Sequence, residues 1–325
     1  MSVTSSPSVR RPTASVLAVL TLVAGLMAWP QGAQAEKLTL LLDWFLNPDH
    51  APLVVALQKG YFSEVGLEVE LIEPADPNDP PKLVAAGQAE VAVTYQPQLH
   101  IQAAAGLPLV RIATLIATPL NTLLVLDDSP IKSIADLKGR KVGFSVGGFE
   151  DALLKAMLER VGLSLDDITL INVNFSLSPA LLSGQVDAVI GAYRNFELNQ
   201  LAIEGYKGRA FYLEEEGVPP YDELILVANR AKLDDPRLAK LVGAMERGVQ
   251  FLINHPEDSW ALFVAYRPDL DDELNRRAWR DTLPRFALRP AALDRGRYER
   301  FAKFLEAQGV IGTPPPSESY AVTLR

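Results

Sequence analysis

The sequence predicts an α/β protein with two lobes, each built on a mostly parallel sheet. Apolar runs of strand length alternate with segments of helical periodicity, and the same order of elements occurs twice, about one hundred residues apart. After the N-terminal segment, no apolar run has the length of a membrane helix. Two such halves would present the carboxyl ends of their strands to one shared cleft, where α/β proteins bind ligands.

The composition excludes several classes of function. The chain has 325 residues, a formal net charge of −9 and no cysteine. An acidic balance without basic runs argues against nucleic acid and anionic membranes as partners. A chain without cysteine forms no disulfide or thiolate metal site, has no cysteine nucleophile and cannot be lipidated through an N-terminal cysteine.

The first 35 residues read as a cleaved secretory signal. Arg10 and Arg11 precede an apolar run over 14–28, which is followed by the small-residue pattern at 33–35. The mature chain is therefore expected to begin near Glu36 and to be periplasmic. The arginine pair leaves twin-arginine export open beside general secretion.

The first half of the mature chain alternates strands and helices. Strands are predicted at Leu38–Leu42, Leu67–Ile72 and Glu90–Val93, and helices at Pro52–Lys59 and Pro81–Ala86. The second half repeats this order at Lys141–Val146, Phe149–Val161, Ile168–Val173, Ala180–Ser183 and Ala188–Ile190. Gly66 and Gly87 are 21 positions apart, and Gly162 and Gly184 are 22 apart. Glycines and apolar strands are common to any two βαβ units, but the matched order and spacing favour a true repeat.

The predicted domain boundaries follow from a change in the chain after Tyr221, where alternating strands and helices give way to mostly helices. A returning strand at Leu224–Ala228 precedes helices at Pro236–Asn254, Glu257–Tyr266, Asp271–Arg280 and Ala291–Gln308. Two crossings between lobes are expected, near 118–122 and 221–225, and would form a hinge. The prediction is a signal peptide at 1–35, a discontinuous first lobe at 36–121 and 226–325, and a second lobe at 122–225.

Candidate binding residues in the first lobe follow predicted strand ends. Trp44 can stack on a planar ligand, and Asn47 and His50 beside it can form hydrogen bonds. Tyr95 follows the third strand, and Asn121 lies at the first crossing. For Trp44 the alternative is a core tryptophan followed by a polar turn; for Tyr95 it is a surface turn, and for Asn121 a backbone contact.

Candidate residues in the second lobe are two glycines and a tyrosine–glutamate pair. The backbone N–H groups of Gly147 and Gly148, between a strand and a helix, can bind a carbonyl or anionic oxygen; the alternative is a tight turn. Tyr193 and Glu197 are four apart and would share a helix face, with Tyr193 stacking and Glu197 accepting from an amine. The alternative is a solvated glutamate. The three histidines lack metal-ligand spacing, and no catalytic residue, metal or cofactor is predicted.

Together these clusters resemble the substrate-binding proteins of thiamine-pyrimidine uptake. The resemblance spans Leu38 to about Pro268, through the motifs Leu41-Leu42-Asp43-Trp44, Lys59-Gly60-Tyr61-Phe62, Thr94-Tyr95-Gln96-Pro97-Gln98, Pro119-Leu120-Asn121 and Gly191-Ala192-Tyr193 with Glu197. It implies a type II periplasmic-binding-protein fold and a monomer. It also implies a formylated or hydroxymethylated aminopyrimidine ligand, delivered to an ABC permease and its ATPase. Relatives that bind riboflavin or sulfonates leave the ligand open.

The same superfamily includes a yeast enzyme that makes the thiamine pyrimidine from its own pyridoxal phosphate and an active-site histidine. In this chain the lysine that would hold pyridoxal phosphate falls at Thr94, and the consumed histidine falls at Gln98. Without an amine at Thr94 no Schiff base can form. The expectation is therefore a binding protein, with a pyrimidine synthase-like enzyme as the alternative.

Overall fold

The computed structural model describes residues 35–324, which form two five-stranded sheets flanked by helices. The strands are β1 Glu36–Leu41, β2 Leu67–Ile72, β3 Val91–Thr94, β4 Leu109–Ile116, β5 Asn121–Leu126, β6 Lys141–Phe144, β7 Thr169–Asn172, β8 Ala188–Tyr193, β9 Gly208–Tyr212 and β10 Leu224–Asn229. The helices are α1 Ala51–Gln58, α2 Tyr61–Glu64, α3 Pro80–Ala85, α4 Gln96–Ala104, α5 Glu150–Arg160, α6 Leu177–Leu182, α7 Glu197–Ile203, α8 Pro236–Asn254, α9 Pro256–Tyr266, α10 Glu273–Thr282 and α11 Arg295–Ala307. The predicted signal segment, apart from Ala35, lies outside the described residues.

The two sheets have the same topology. The first has the order β2-β1-β3-β10-β4 and the second the order β7-β6-β8-β5-β9. In each, the first three strands pair in parallel, and one strand, β10 or β5, runs antiparallel to both of its neighbours. The predicted two-lobed α/β fold is confirmed, although each sheet is mixed, with two parallel and two antiparallel pairings.

The internal repeat extends to backbone conformation. Gly66, Gly87, Gly162 and Gly184 end the corresponding helices of the two halves, and their φ angles lie between 70° and 77°. Only glycine adopts this left-handed conformation without strain, so the repeated glycines stop α2, α3, α5 and α6 at equivalent places.

The chain crosses between the sheets twice, and a buried glutamate joins the crossings. The first crossing lies between Ile116 and Asn121, and the second lies between Tyr212 and Leu224. Glu223 Oε2, on the second crossing, accepts the backbone N–H groups of Leu120 at 2.5 Å and Asn121 at 2.9 Å. Burial raises the pKa of Glu223 to about 7.

Strand β4 was not identified from the sequence, because Arg111 interrupts its apolar run. The structure buries this arginine completely. Its guanidinium donates to the carbonyl oxygens of Pro290, Ala291 and Val322 at 2.9–3.2 Å, and to that of Ala292. Buried charges are tolerated when they are hydrogen-bonded in this way, and these bonds attach the C-terminal segment to the first sheet.

Among residues 35–324, no helix combines the length and apolar character that crossing a bilayer requires.

Candidate functional site

A cleft with about 460 Å³ of space free of protein atoms, open solvent included, is lined by residues of both sheets. Most of its lining residues lie at or after the carboxyl ends of β1, β3, β6, β7 and β8, as expected for α/β sheets, whereas Leu224 begins β10. They are Asp43, Trp44, Asn47, Asp49, Tyr95 and Leu224 from the first lobe, and Glu150, Leu177, Gly191, Tyr193, Phe196 and Glu197 from the second.

Aromatic side chains from both lobes meet at the cleft. The Trp44 ring lies edge-on to Phe175 of the second lobe, with ring centroids 4.6 Å apart. Tyr95 stacks on Phe149, also of the second lobe, at 4.8 Å and an interplanar angle of 24°. The lobes therefore contact each other directly around the cleft, in a closed arrangement.

Polar bonds between the lobes support the closed arrangement. Asn195 of the second lobe donates from Nδ2 to Asp49 Oδ1 and Thr282 Oγ1 of the first, both at 2.7 Å. On another side, the Gly147 N–H donates to Asn78 Oδ1 at 3.0 Å. Asp49 lines the cleft, so one of these contacts joins the two lobes at the site itself.

The cleft is strongly acidic. Asp43, Asp49, Glu150 and Glu197 are each more than nine-tenths buried, and neither lysine nor arginine is among the described lining residues. Burial raises the pKa of Asp49 to about 6, that of Glu197 to about 7 and that of Glu150 to about 8. Such carboxyls gain most from a ligand that donates hydrogen bonds or carries a positive charge.

Tyr193 and Glu197 are brought together, but not on one helix face as predicted. Tyr193 is the last residue of β8 and Glu197 the first of α7, so the helical-face prediction is wrong. The turn between them lets Glu197 Oε2 accept the Tyr193 N–H at 2.6 Å, and both side chains line the cleft. The carboxylate is thus held at the strand tip, with its hydrogen bonds to the turn lowering a pKa that burial raises.

Three further predicted residues, Trp44, Asn47 and Tyr95, line the same cleft. Asn47 caps the turn before α1, since its Oδ1 accepts the Asp49 N–H at 2.8 Å and its Nδ2 donates to the Phe45 carbonyl. The Tyr95 hydroxyl donates to Asp43 Oδ2 at 3.0 Å. These bonds orient the side chains against the cleft wall.

His50 and Asn121 lie behind the wall with no exposed surface. His50 bonds to Asp43 Oδ1 through Nε2 at 2.9 Å, and its Nδ1 accepts the Asn47 N–H. Asn121 Oδ1 accepts the N–H of Gly191 at 2.9 Å. Both residues hold cleft residues in place in this conformation and do not line the cleft themselves, so their contact with a ligand stays a prediction.

The amides of Gly147 and Gly148, which were expected to bind a ligand oxygen, have partners within the protein in this conformation. The Gly147 amide is taken by Asn78, and the Gly148 amide donates to Asp151 Oδ1 at 2.7 Å. Neither glycine lines the cleft. The tight-turn interpretation is the one that the geometry favours, with Gly148 at a φ of 91°.

Sequence reasoning missed four acidic residues around the site. Asp43 and Asp49 follow β1 in the same segment as Trp44, so their position after a strand end could have identified them as site residues. Glu150 begins α5, and Glu223 lies in the second crossing; no local pattern separates them from solvated glutamates. Within residues 35–324, no group of three or more histidine, aspartate or glutamate side chains is arranged to hold a metal ion.

An inter-lobe cleft at the strand tips of two matched sheets defines the class: this is a protein of the periplasmic-binding-protein fold. The chain belongs to the family described as NMT1/THI5 like, which matches residues 47–259.

Three bacterial relatives are similar to this chain over two thirds or more of their own length. A Haemophilus influenzae protein named for thiamine biosynthesis is 52% identical over 311 residues, which cover 95% of this chain and 99% of the relative. The formylaminopyrimidine-binding protein of Halalkalibacterium halodurans is 35% identical over 226 residues, covering 69% of this chain and 68% of the relative. A Legionella pneumophila 4-amino-5-hydroxymethyl-2-methylpyrimidine phosphate synthase is 28% identical, covering 83% and 88%.

Solved structures agree on the fold. The alkanesulfonate-binding protein SsuA of Xanthomonas axonopodis pv. citri superposes with a TM-score of 0.69 at 18% identity, covering 88% of this chain and 98% of that one. The aliphatic sulphonate-binding protein SsuA of Escherichia coli gives 0.66 at 17% identity, covering 87% and 96%.

Proposed function

We propose that this protein captures an aminopyrimidine between its lobes and carries out no chemistry on it. The observation that carries the proposal is the joint placement of Trp44, Tyr193 and Glu197 on one acidic cleft. Aromatic rings stack on a planar heterocycle, and a buried carboxylate accepts hydrogen bonds from an exocyclic amine. The formylaminopyrimidine-binding relative supports the same ligand class.

The electrostatics of the cleft argue against an anionic ligand such as a sulfonate. A sulfonate would need cationic or N–H donors to replace its hydration, whereas the described lining residues contribute several carboxyls and neither lysine nor arginine. The likeness to sulfonate-binding structures extends to the fold alone. Riboflavin, the other alternative ligand, is uncharged, so the charge of the cleft does not argue against it. The binding experiment below distinguishes it from an aminopyrimidine.

The residues at the strand tip of β3 do not fit pyridoxal phosphate. Thr94 carries a hydroxyl where the cofactor would need an amine, and this hydroxyl donates to Gln98 Oε1 at 2.5 Å. Thr94 is fully buried as well. A pyrimidine synthase-like reaction would therefore have no anchor for its cofactor, which favours binding over catalysis.

We extend this proposal to a role in transport. A periplasmic monomer that closes on its ligand would present the closed form to an ABC permease and its ATPase. The acidic charge of the chain fits a small-molecule carrier better than a nucleic-acid or membrane-surface partner.

Glu197→Gln tests the ligand chemistry. The glutamine keeps an oxygen for the Tyr193 N–H but loses the charge, so affinity for formylaminopyrimidine should fall more than about tenfold in calorimetry. Glu204→Gln, on the exposed end of the same helix, is the control and should leave affinity unchanged. Unchanged affinity in Glu197→Gln would refute the role of the charge. A thermal-shift series with riboflavin and an alkanesulfonate checks the ligand class, since a bound ligand raises Tm; stabilisation by either one instead of the pyrimidine would refute the proposal.

A further inference from the structure

Glu150 is a second buried carboxyl of the cleft, and only one of its oxygens is engaged by the protein. It is 4% exposed and begins α5. Oε2 accepts the N–H groups of Ser145 at 2.8 Å and Val146 at 3.1 Å. Oε1 has no hydrogen-bond partner among the described residues, and Glu150 lines the cleft.

Gly191 leaves space for the Glu150 carboxyl because it has no side chain. A Cβ on Gly191 would lie 2.4 Å from Glu150 Oε1 and 2.7 Å from Cδ, far inside contact distance. Gly191 also has a φ of 96°, which disfavours other residues. The bare backbone at the end of β8 therefore accommodates the carboxyl at the cleft wall.

The loop between β6 and α5 has the form of an anion site, but its donors are already used. Such loops bind phosphate through free N–H groups at a helix N-terminus. Here Glu150 fills the amides of Ser145 and Val146, while Asn78 and Asp151 fill those of Gly147 and Gly148. A phosphate would have to displace these side chains and approach other buried carboxyls.

We propose that Glu150 makes the cleft selective for an unphosphorylated, basic heterocycle. Its Oε1 shares a proton with a ring nitrogen of the ligand, and its Oε2 occupies the amides that a phosphate group would require. The inference rests on the proposed function and specifies it further: the ligand has a basic ring nitrogen in addition to an amine, and it is bound without a phosphate ester.

The protonation of Glu150 supports this role. Burial raises the pKa of the carboxyl to about 8, closer to neutrality than an exposed glutamate. A carboxyl that is easily protonated can share one proton with a weakly basic ring nitrogen, and a hydrogen bond with charge on either partner is stronger than a neutral one.

Two variants separate the contact of Glu150 with the ring nitrogen from its occupation of the loop amides. Glu150→Gln keeps an oxygen for the Ser145 and Val146 amides but offers only a neutral N–H to the ring nitrogen. Glu150→Ala loses the ring contact and frees the amides. The probes are 4-amino-5-hydroxymethyl-2-methylpyrimidine, its phosphate ester, and an aniline analogue with carbon in place of both ring nitrogens.

Calorimetry on the whole mature chain gives the result. For the wild type we expect the phosphate ester to bind at least about 100-fold more weakly than the alcohol. Glu150→Gln should weaken the alcohol about tenfold and keep the discrimination, while leaving the aniline analogue within twofold. Glu150→Ala should weaken the alcohol by about 10- to 100-fold and reduce the discrimination.

Three outcomes would overturn the inference. These are equal wild-type affinity for alcohol and ester, alcohol affinity within twofold of wild type in Glu150→Gln, or an equal effect of that substitution on the aniline analogue. Since Glu150→Ala exposes two buried amides, its folding is checked by thermal unfolding; if it does not fold, the glutamine variant decides. A wild type that binds no pyrimidine would refute the proposed function itself, whereas binding that ignores Glu150 refutes only this inference.

Discussion

Replacing Gly191 by alanine tests whether the buried carboxyl of Glu150 depends on a missing side chain. Its φ of 96° makes any Cβ unfavourable, at about 1–2 kcal/mol. The new methyl group would also overlap Glu150 Oε1 and Cδ. The side chain can rotate away only by giving up its bonds to Ser145 and Val146, and each buried N–H left without a partner costs about 1–3 kcal/mol.

The expected loss of unfolding free energy for Gly191→Ala is therefore about 3 kcal/mol or more. Gly205→Ala is the matched control, since Gly205 has a φ of 84° in the same lobe and a Cβ there would meet nothing within 4 Å. It should lose only the backbone strain, about 1–2 kcal/mol. The difference between the variants, about 2 kcal/mol or more, measures the displacement of the Glu150 carboxyl.

Urea unfolding of both variants, followed by circular dichroism, gives the two free energies. Calorimetry with 4-amino-5-hydroxymethyl-2-methylpyrimidine adds a functional measurement, in which Gly191→Ala should lose at least about tenfold in affinity and Gly205→Ala almost none. Equal destabilisation by the two substitutions would refute the reasoning, because it would mean that the carboxyl moves at no cost.

Two further predictions concern pH and lobe closure. Burial raises the pKa values of Glu150, Glu197 and Glu223 from 4.5 to between about 7 and about 8, so the folded protein binds more protons and stability is lost as pH rises through these values. The unfolding free energy of the ligand-free protein should increase by about 3 kcal/mol from pH 8 to 6.5 in urea titrations; a flat profile would contradict the assigned shifts. Asn195→Asp places a carboxyl against Asp49 across the lobes and should reduce ligand affinity about tenfold, while Asn199→Asp, whose Nδ2 bonds to exposed Asp281, should change it less than about threefold. Similar effects from both would show that closure does not depend on the buried contact.

Local signals were sufficient to predict the repeated architecture. The strand Leu67–Ile72 and the helix Pro236–Asn254 have in the structure the bounds that the sequence predicted. Periodicity, proline at helix starts and left-handed glycines at helix ends are properties of neighbouring residues, so they can be read along the chain. Arg111 marks the limit, since a charge inside a strand is interpretable only when its distant carbonyl partners are known.

The sequence alone determined the βαβ repeat, the acidic cysteine-free character of the chain and the aromatic residues expected at strand tips. Only the tertiary structure decided which polar groups are free for a ligand: His50, Asn121, Gly147 and Gly148 are used within the protein, while Glu150 and Glu197 reach the cleft. The reason is that burial depends on the packing of distant segments, and that Gly147 and Asn121 have hydrogen-bond partners 69 and 70 positions away. A carboxyl in the sequence becomes a recognition group only when folding buries it and leaves one of its oxygens without a partner.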